Sequence, residues 1–237
     1  MESSSTVLED GRADLPERIL GDWGGSLYPI GSVVAPLWHG YSMWGFEGLM
    51  LQLVDRPDLV RYAVERFTHH AVDQVRSAAR FGALGIWIED CMTDMMSTAH
   101  LRSFHLPYLR RITDEIRGQG MHSIHYFCGN PAGKWAVLLD TGADALSLEE
   151  SKKGFTIDVD DVVDRVDGRM TILGNLDAIE LLEHGSRDEL RAEIGRQIAA
   201  GRRNGSRFIM SLGSPVTPGT PVSRVRAYCD LVHELGV

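Results

Sequence analysis

The sequence predicts an α/β fold of the (β/α)8 TIM-barrel-like type, and three observations predict it. Short apolar runs alternate with helical patterns along the chain. The runs are continuously apolar, as strands buried on both faces of a parallel sheet are. Glycines stand where helices should end and strands begin, which is where a left-handed cap is needed. The length of 237 residues is close to that of one α/β barrel. With 43% apolar and 24% charged residues the composition excludes wholesale disorder and a fibrous repeat.

The elements follow in order. Residues 1–25 carry little periodicity and read as a lead-in segment, leaving 26–237 as a single barrel-like catalytic domain. The first strand is Gly31-Ser-Val-Val-Ala-Pro36. A helix follows from Pro57 to about Ala79, because Leu59, Ala63, Phe67, Ala71 and Val75 recur at helical spacing; Asp55 or Asp58 is placed to cap it. The second strand lies in Gly82-Ala-Leu-Gly-Ile-Trp-Ile-Glu-Asp90. The next helix runs from about His100 to Arg117, with a kink or break expected at Pro107. Further strands fall in Met121 to Phe127, Ala143 to Leu148, Met170 to Leu173 and Phe208 to Leu212, with helices near 132–141, 158–166 and 186–202. That makes about six strands, whereas a closed (β/α)8 barrel has eight, so either the ends hide further strands or the barrel is incomplete at the N-terminus. An open doubly wound sheet is the alternative, although no G-x-G-x-x-G follows a strand.

Charge and cysteine usage narrow the class. A formal charge of -9 argues against nucleic acid, since no basic face is available to release counterions. No apolar run approaches the roughly 18 residues that span a bilayer, and the polar MESSSTVLEDGR start does not resemble a signal peptide. Three cysteines far apart do not make a disulfide scaffold. A cytoplasmic protein is expected.

In parallel barrels the chemistry sits at the C-terminal ends of the strands. Those positions hold Glu89-Asp90-Cys91, His125-Tyr-Phe-Cys128-Gly-Asn130, Glu149-Glu150-Ser-Lys152-Lys153, Gly174-Asn175-Leu-Asp177 and Ser211-Leu-Gly213-Ser214. Carboxylate, imidazole, thiol and amide groups gathered there suit acid–base work or metal binding. Each also has a plainer reading. Asn130 and Asn175 can serve only as turn residues, Glu149 to Lys153 can be a self-neutralising loop, and Cys128 can be a small buried hydrophobe. Cys91 and Cys229 read as structural. Trp38 and His39 lie in an aromatic loop after the first strand that can wall a pocket or fill a core, and His69-His70 in a helix body faces solvent. Strand parity matters for a metal. Side chains alternate faces, so if Cys128 faces the barrel centre its partner is Tyr126, and His125 points to the helices. One or two histidines with Glu89, Asp90 or Glu149 would suit iron or manganese instead.

The run His125 to Asn130 resembles the uroporphyrinogen decarboxylase superfamily, which includes corrinoid-dependent methyltransferases. Gly142 to Glu149, Leu173 to Asp177 and Ser211 to Pro221 are similar to its other motifs, as is Gly82 to Asp90 followed by Ser97 to Ile112. The resemblance covers roughly 30 to 235 and implies a barrel with its site in the C-terminal cleft. The family's methyltransferases hold zinc with a His-x-Cys pair and a later cysteine. Here the spacing is His-x-x-Cys, and Ser214 stands where the later cysteine falls. The family's decarboxylases need no metal and carry an arginine-rich N-terminal motif that has no counterpart in residues 1–30.

The expectation drawn from residues and resemblance is a small-molecule enzyme, with metal-dependent methyl transfer as its reaction. Glu89, Asp90, Tyr126 and Asn175 are the catalytic candidates. Trp38, His39, Asn130, Lys152 and Ser214 are the substrate-binding candidates. His125, Cys128 and Glu149 would hold a divalent metal, zinc or iron. A corrinoid is the candidate methyl donor, a corrinoid protein the candidate partner, and exposed barrel edges make a homodimer plausible. The alternatives are a metal-free decarboxylase or lyase acting on a polycarboxylate, a non-haem iron oxidative enzyme, and a non-catalytic corrinoid- or ligand-binding subunit.

Overall fold

The computed structural model describes residues 10–151 and 154–236. They divide into two compact units, Met1–Cys128 with Ala136–Asp144 and Gly129–Trp135 with Ala145–Val237.

The first unit contains α1 (Asp14–Trp23), β1 (Ile30–Val34), α2 (Pro36–Asp55), α3 (Pro57–Arg80), β2 (Gly85–Asp90), α4 (Thr98–Phe104), α5 (Leu106–Gly118) and β3 (His122–Phe127). The stretch expected as a lead-in thus holds a helix, which buries none of its residues. The strands β1, β2 and β3 are parallel and pair in chain order, with Val33 opposite Ile88 and Ile88 opposite His125. Consecutive order without a reversal is barrel winding; a doubly wound sheet reverses at a switch point.

Alternation sorts β2 into two faces. Ile86 and Ile88 pack with Ala71 and Val75 of α3 and with Leu109, Ile112 and Ile116 of α5, all within 1% of full burial. This is the helix-facing side. Trp87 points the other way and meets Tyr126 of β3, ring centroids 4.8 Å apart.

Two helices depart from the sequence expectation. Residues 36–55 are helical, so Trp38 and His39 lie on α2 and not in a loop; Pro36 opens it at the first position, where its missing N–H costs nothing. Inside α2 the chain bends at Gly45 (φ 71°, ψ 174°), a conformation open essentially to glycine alone. Neither Asp55 nor Asp58 caps α3: the N-cap is Arg56, and Asp58 sits in the first turn. The break expected at Pro107 is real. α4 ends at Phe104, His105 is non-helical, and α5 restarts with Pro107 in its first two positions. A single turn, α6 (Trp135–Leu138), stands where 132–141 was expected to be helical.

The second unit contains β4 (Ala145–Leu148), α7 (Val159–Val166), β5 (Thr171–Leu173), α8 (Arg187–Arg203), β6 (Phe208–Ile209) and α9 (Val222–Gly236). Its three strands are again parallel and in chain order. β6 has two residues, and an isolated bridge between Leu176 and Leu212 extends the pairing beyond it. Leu176, Leu182, Leu190, Ile194 and Leu231 form the core beneath α8 and α9. Asn204 closes the loops around β5: its Oδ1 accepts from Gly168 N, and its Nδ2 donates to the carbonyls of Met170 and Arg207. No helix of the described residues is long and apolar enough to cross a membrane.

Candidate functional site

Two different assemblies occupy the C-terminal ends of β2 and β3, one on each face of the sheet. On the helix-facing side Asp90 is fully buried and accepts two hydrogen bonds at Oδ2, from His105 Nε2 at 2.7 Å and His125 Nε2 at 2.9 Å. Its other oxygen accepts from Thr93 Oγ1 at 3.0 Å. Burial opposes the Asp90 charge, yet the two imidazoles outweigh it by charge and hydrogen bonding and hold its carboxyl far below the usual range. His105 occupies the non-helical break between α4 and α5, so the cluster ties that break to the ends of both strands.

Toward the C-terminal end of the opposite face Trp87, Glu89, Cys91, Tyr126 and Cys128 are partly exposed, above a buried Ile124. Glu89 and Tyr126 are register partners. Cys91 and Cys128 follow Asp90 and Phe127, which pair, and Cys128 N donates to Asp90 O, so the ladder continues one step past the strands. Their sulfurs are 2.8 Å apart.

Of the expected catalytic set, Glu89 and Tyr126 share the accessible face, whereas Asp90 lies behind it. Of the expected metal set, His125 and Cys128 are not brought together, since His125 turns to Asp90 and Cys128 to Cys91. In the second unit Glu149 is buried and accepts from Gly129 N at 2.8 Å. Asn175 is buried and donates to the carbonyls of Glu149 and Ile157 at 3.1 and 2.8 Å, which makes it a brace for the loop after β4. Asn130 makes a turn bond to Ala132 N at 2.9 Å and also lines a cavity of about 190 Å³ with Trp135, Asp158, Asp161 and Arg165. The Arg165 guanidinium lies 5.3 Å from the Trp135 ring centroid. Ser214 is partly exposed and follows Gly213, which packs directly on Glu150. Trp38 is half-buried, and His39 packs on Phe67 with its basicity lowered by burial and then by His70. Lys152 and Lys153 lie outside the described residues.

His105 and the partnership of Cys91 were missed. Alternation alone places Asp90 and His125 behind the sheet, but the pairing of β2 with β3 and the helix break that delivers His105 are tertiary facts.

The donor chemistry tests whether a metal fits. A zinc set of the His-x-Cys and later-cysteine kind meets Tyr126 and Ser214 at two of its positions, and a phenol and a hydroxyl are poor partners for zinc beside a thiolate. Asp90, His105 and His125 do offer ligand atoms within 4.8 Å of one another. They are at most 2% exposed and lie on the helix side, which leaves no open coordination position for a substrate. A metal held through both Nε2 atoms would also want each Nδ1–H bound in a second shell, and both Nδ1 atoms are buried without a partner. The cluster fits a hydrogen-bonded brace and does not fit a catalytic metal.

Comparison with known proteins agrees with this architecture. Among solved structures the chain is similar to a methyltransferase from Methanosarcina mazei, with a TM-score of 0.82 at 20% identity over 95% of this chain and 64% of that one. A B12-independent methionine synthase from Shewanella sp. W3-18-1 gives a TM-score of 0.65 at 9% identity over 94% and 65%. These likenesses establish the TIM-barrel-like α/β fold. A curated uroporphyrinogen decarboxylase of Edwardsiella ictaluri is 25% identical over 100% of this chain and 64% of its own length. That of Anaeromyxobacter sp. is 30% identical over 80% and 52%. The chain therefore spans between about half and two thirds of the length of these relatives. The model of the family described as Uroporphyrinogen decarboxylase (URO-D) matches residues 17–235, and the chain belongs to that family.

Proposed function

We propose that this chain carries the catalytic region of an enzyme that decarboxylates a small polycarboxylate without a metal, working from the partly exposed face of β2 and β3. The observation that carries this reading is the division of labour between neighbours. Glu89 and Tyr126 stand side by side on the accessible face, while the histidine that a zinc site would need is turned behind the sheet to Asp90. Loss of CO2 leaves electrons on carbon, and the reaction needs a cationic or protonated group in the substrate to receive them and a proton to finish. A carboxylate at Glu89 stabilises that positive charge, and the Tyr126 hydroxyl orients the substrate or relays the proton. The names of the curated relatives support decarboxylation.

Methyl transfer is the second reading, supported by the fold shared with the Methanosarcina mazei methyltransferase and by a thiol, Cys128, on the accessible face. In that reading a corrinoid protein supplies the methyl group and a divalent metal would have to be held by a set other than His125, Cys128 and Glu149.

Two assays on the purified chain separate them. CO2 release from tetrapyrrole and simpler polycarboxylates, insensitive to chelator and abolished in Glu89→Gln, supports the first reading. Demethylation of methylcobalamin in the presence of a thiol, with no CO2 release, overturns it and installs the second.

A further inference from the structure

We infer that Cys91 and Cys128 form a dithiol that is converted to an intramolecular disulfide by exchange with a small-molecule disulfide of the glutathione class. The inference rests on placement and is independent of which reaction the protein catalyses.

Three features of the pair converge. The parallel register of β2 and β3 runs through Asp90 opposite Phe127, and the bond from Cys128 N to Asp90 O carries it one residue further, so the cysteines face each other across neighbouring strands. Strands so paired lie about 4.8 Å apart, inside the Cα separation of roughly 4.4–6.8 Å that a disulfide spans. The sulfurs are already 2.8 Å apart, so the step to a bond of about 2.05 Å is a side-chain rotation of well under an ångström at each sulfur. Both side chains are also partly exposed, unlike the fully buried residues Asp90 and Phe127 beside them, so a small reagent can approach. The residues that follow, Met92 (φ 67°) and Gly129 (φ 108°), turn the chain out of the sheet at once, which leaves both cysteines at free strand ends.

The step balances by exchange. The thiolate of one cysteine attacks a sulfur of the reagent, forming a mixed disulfide and releasing one small thiol. The second cysteine attacks the protein sulfur of that mixed disulfide and releases the second small thiol. The protein loses two electrons and two protons, and the reagent disulfide is reduced to two thiols. Cys229, exposed and on α9, has no such neighbour and stops at the mixed disulfide.

The test treats the full chain carrying Cys229→Ser with glutathione disulfide and reads intact mass, peptide map and free thiol. The expected product has lost both titratable thiols, carries no glutathione, yields a Cys91–Cys128 linked peptide, and returns to two thiols with dithiothreitol. In the Cys91→Ser and Cys128→Ser variants the capture step is removed, and at least one of them retains a stable glutathione adduct on its remaining cysteine. Circular dichroism of each species confirms that the fold is kept, and the linkage is scored on those that keep it. Glutathione adducts at Cys91 or Cys128 without a link between them overturn the inference. So do two thiols that stay unreacted, or a pair that retains zinc through chelation and resists the reagent.

Discussion

Glu89 and Asp90 are adjacent carboxylates in opposite surroundings, and on the proposed reading their roles differ measurably. Asp90 is ionised in a fully buried site against two imidazoles. Replacing it by alanine leaves those imidazoles unsatisfied and is expected to cost about 3–5 kcal/mol in denaturant unfolding. Glu89→Gln should change stability by less than about 1 kcal/mol while lowering turnover at least about a hundredfold. A pH series checks the sign. The Asp90 carboxyl is held below its ordinary value, so the stability it contributes is complete above the unfolded value of about 3.9 and is lost as pH falls from there toward the folded value. Asp90→Asn should flatten that acid limb; an unchanged limb would show that the cluster does not stay ionised. At this scale the sequence was partly legible. Alternation along β3 separates His125 from Cys128 without any coordinates, but which strands are neighbours, and hence that Glu89 meets Tyr126, depends on pairing across the 36 residues between them.

The elements were easier to read where one physical signal dominates. Pro107 stops α4 and restarts α5 because it lacks a donor and clashes with the preceding turn. Ser186 begins α8 with a full capping box, its hydroxyl accepting from Glu189 N while the Glu189 carboxylate accepts from Ser186 N. Ser186→Ala should cost about 1 kcal/mol, seen as a lower unfolding midpoint with an unchanged denaturant slope. α2 was missed because it is apolar on nearly all sides and contains Gly40, Gly45 and Gly48, so neither helical periodicity nor propensity announces it. Burial of Leu37, Leu49 and Leu53 against Val60 and Val64 of α3 overrides the propensity. The loop after β6 makes a sharper case. A side chain at Gly213 would collide with the backbone of Glu150, so Gly213→Ala should displace the Glu149–Glu150 segment, read as loss of amide protection there.

At the scale of the whole molecule, the β-α-β-α order was legible from periodicity and glycine placement, whereas the way residues gather into compact units depends on contact density, a property of the folded chain. The donor sets make a prediction for the molecule as prepared. On the proposed reading exhaustive chelation should leave both the unfolding midpoint and any CO2 release unchanged; a drop in either would return a metal to the Asp90, His105 and His125 cluster. The two-faced sheet also carries a message for anyone interpreting mutational data on this chain. From Ile86 to Asp90 the even positions face the helices and the odd ones the accessible side, so on the proposed reading a saturation scan across the segment should beat with a period of two. Variants selected for abundance alone will drift freely at Trp87 and Glu89, and those selected for turnover will be silent about why Ile86, Ile88 and Asp90 cannot move.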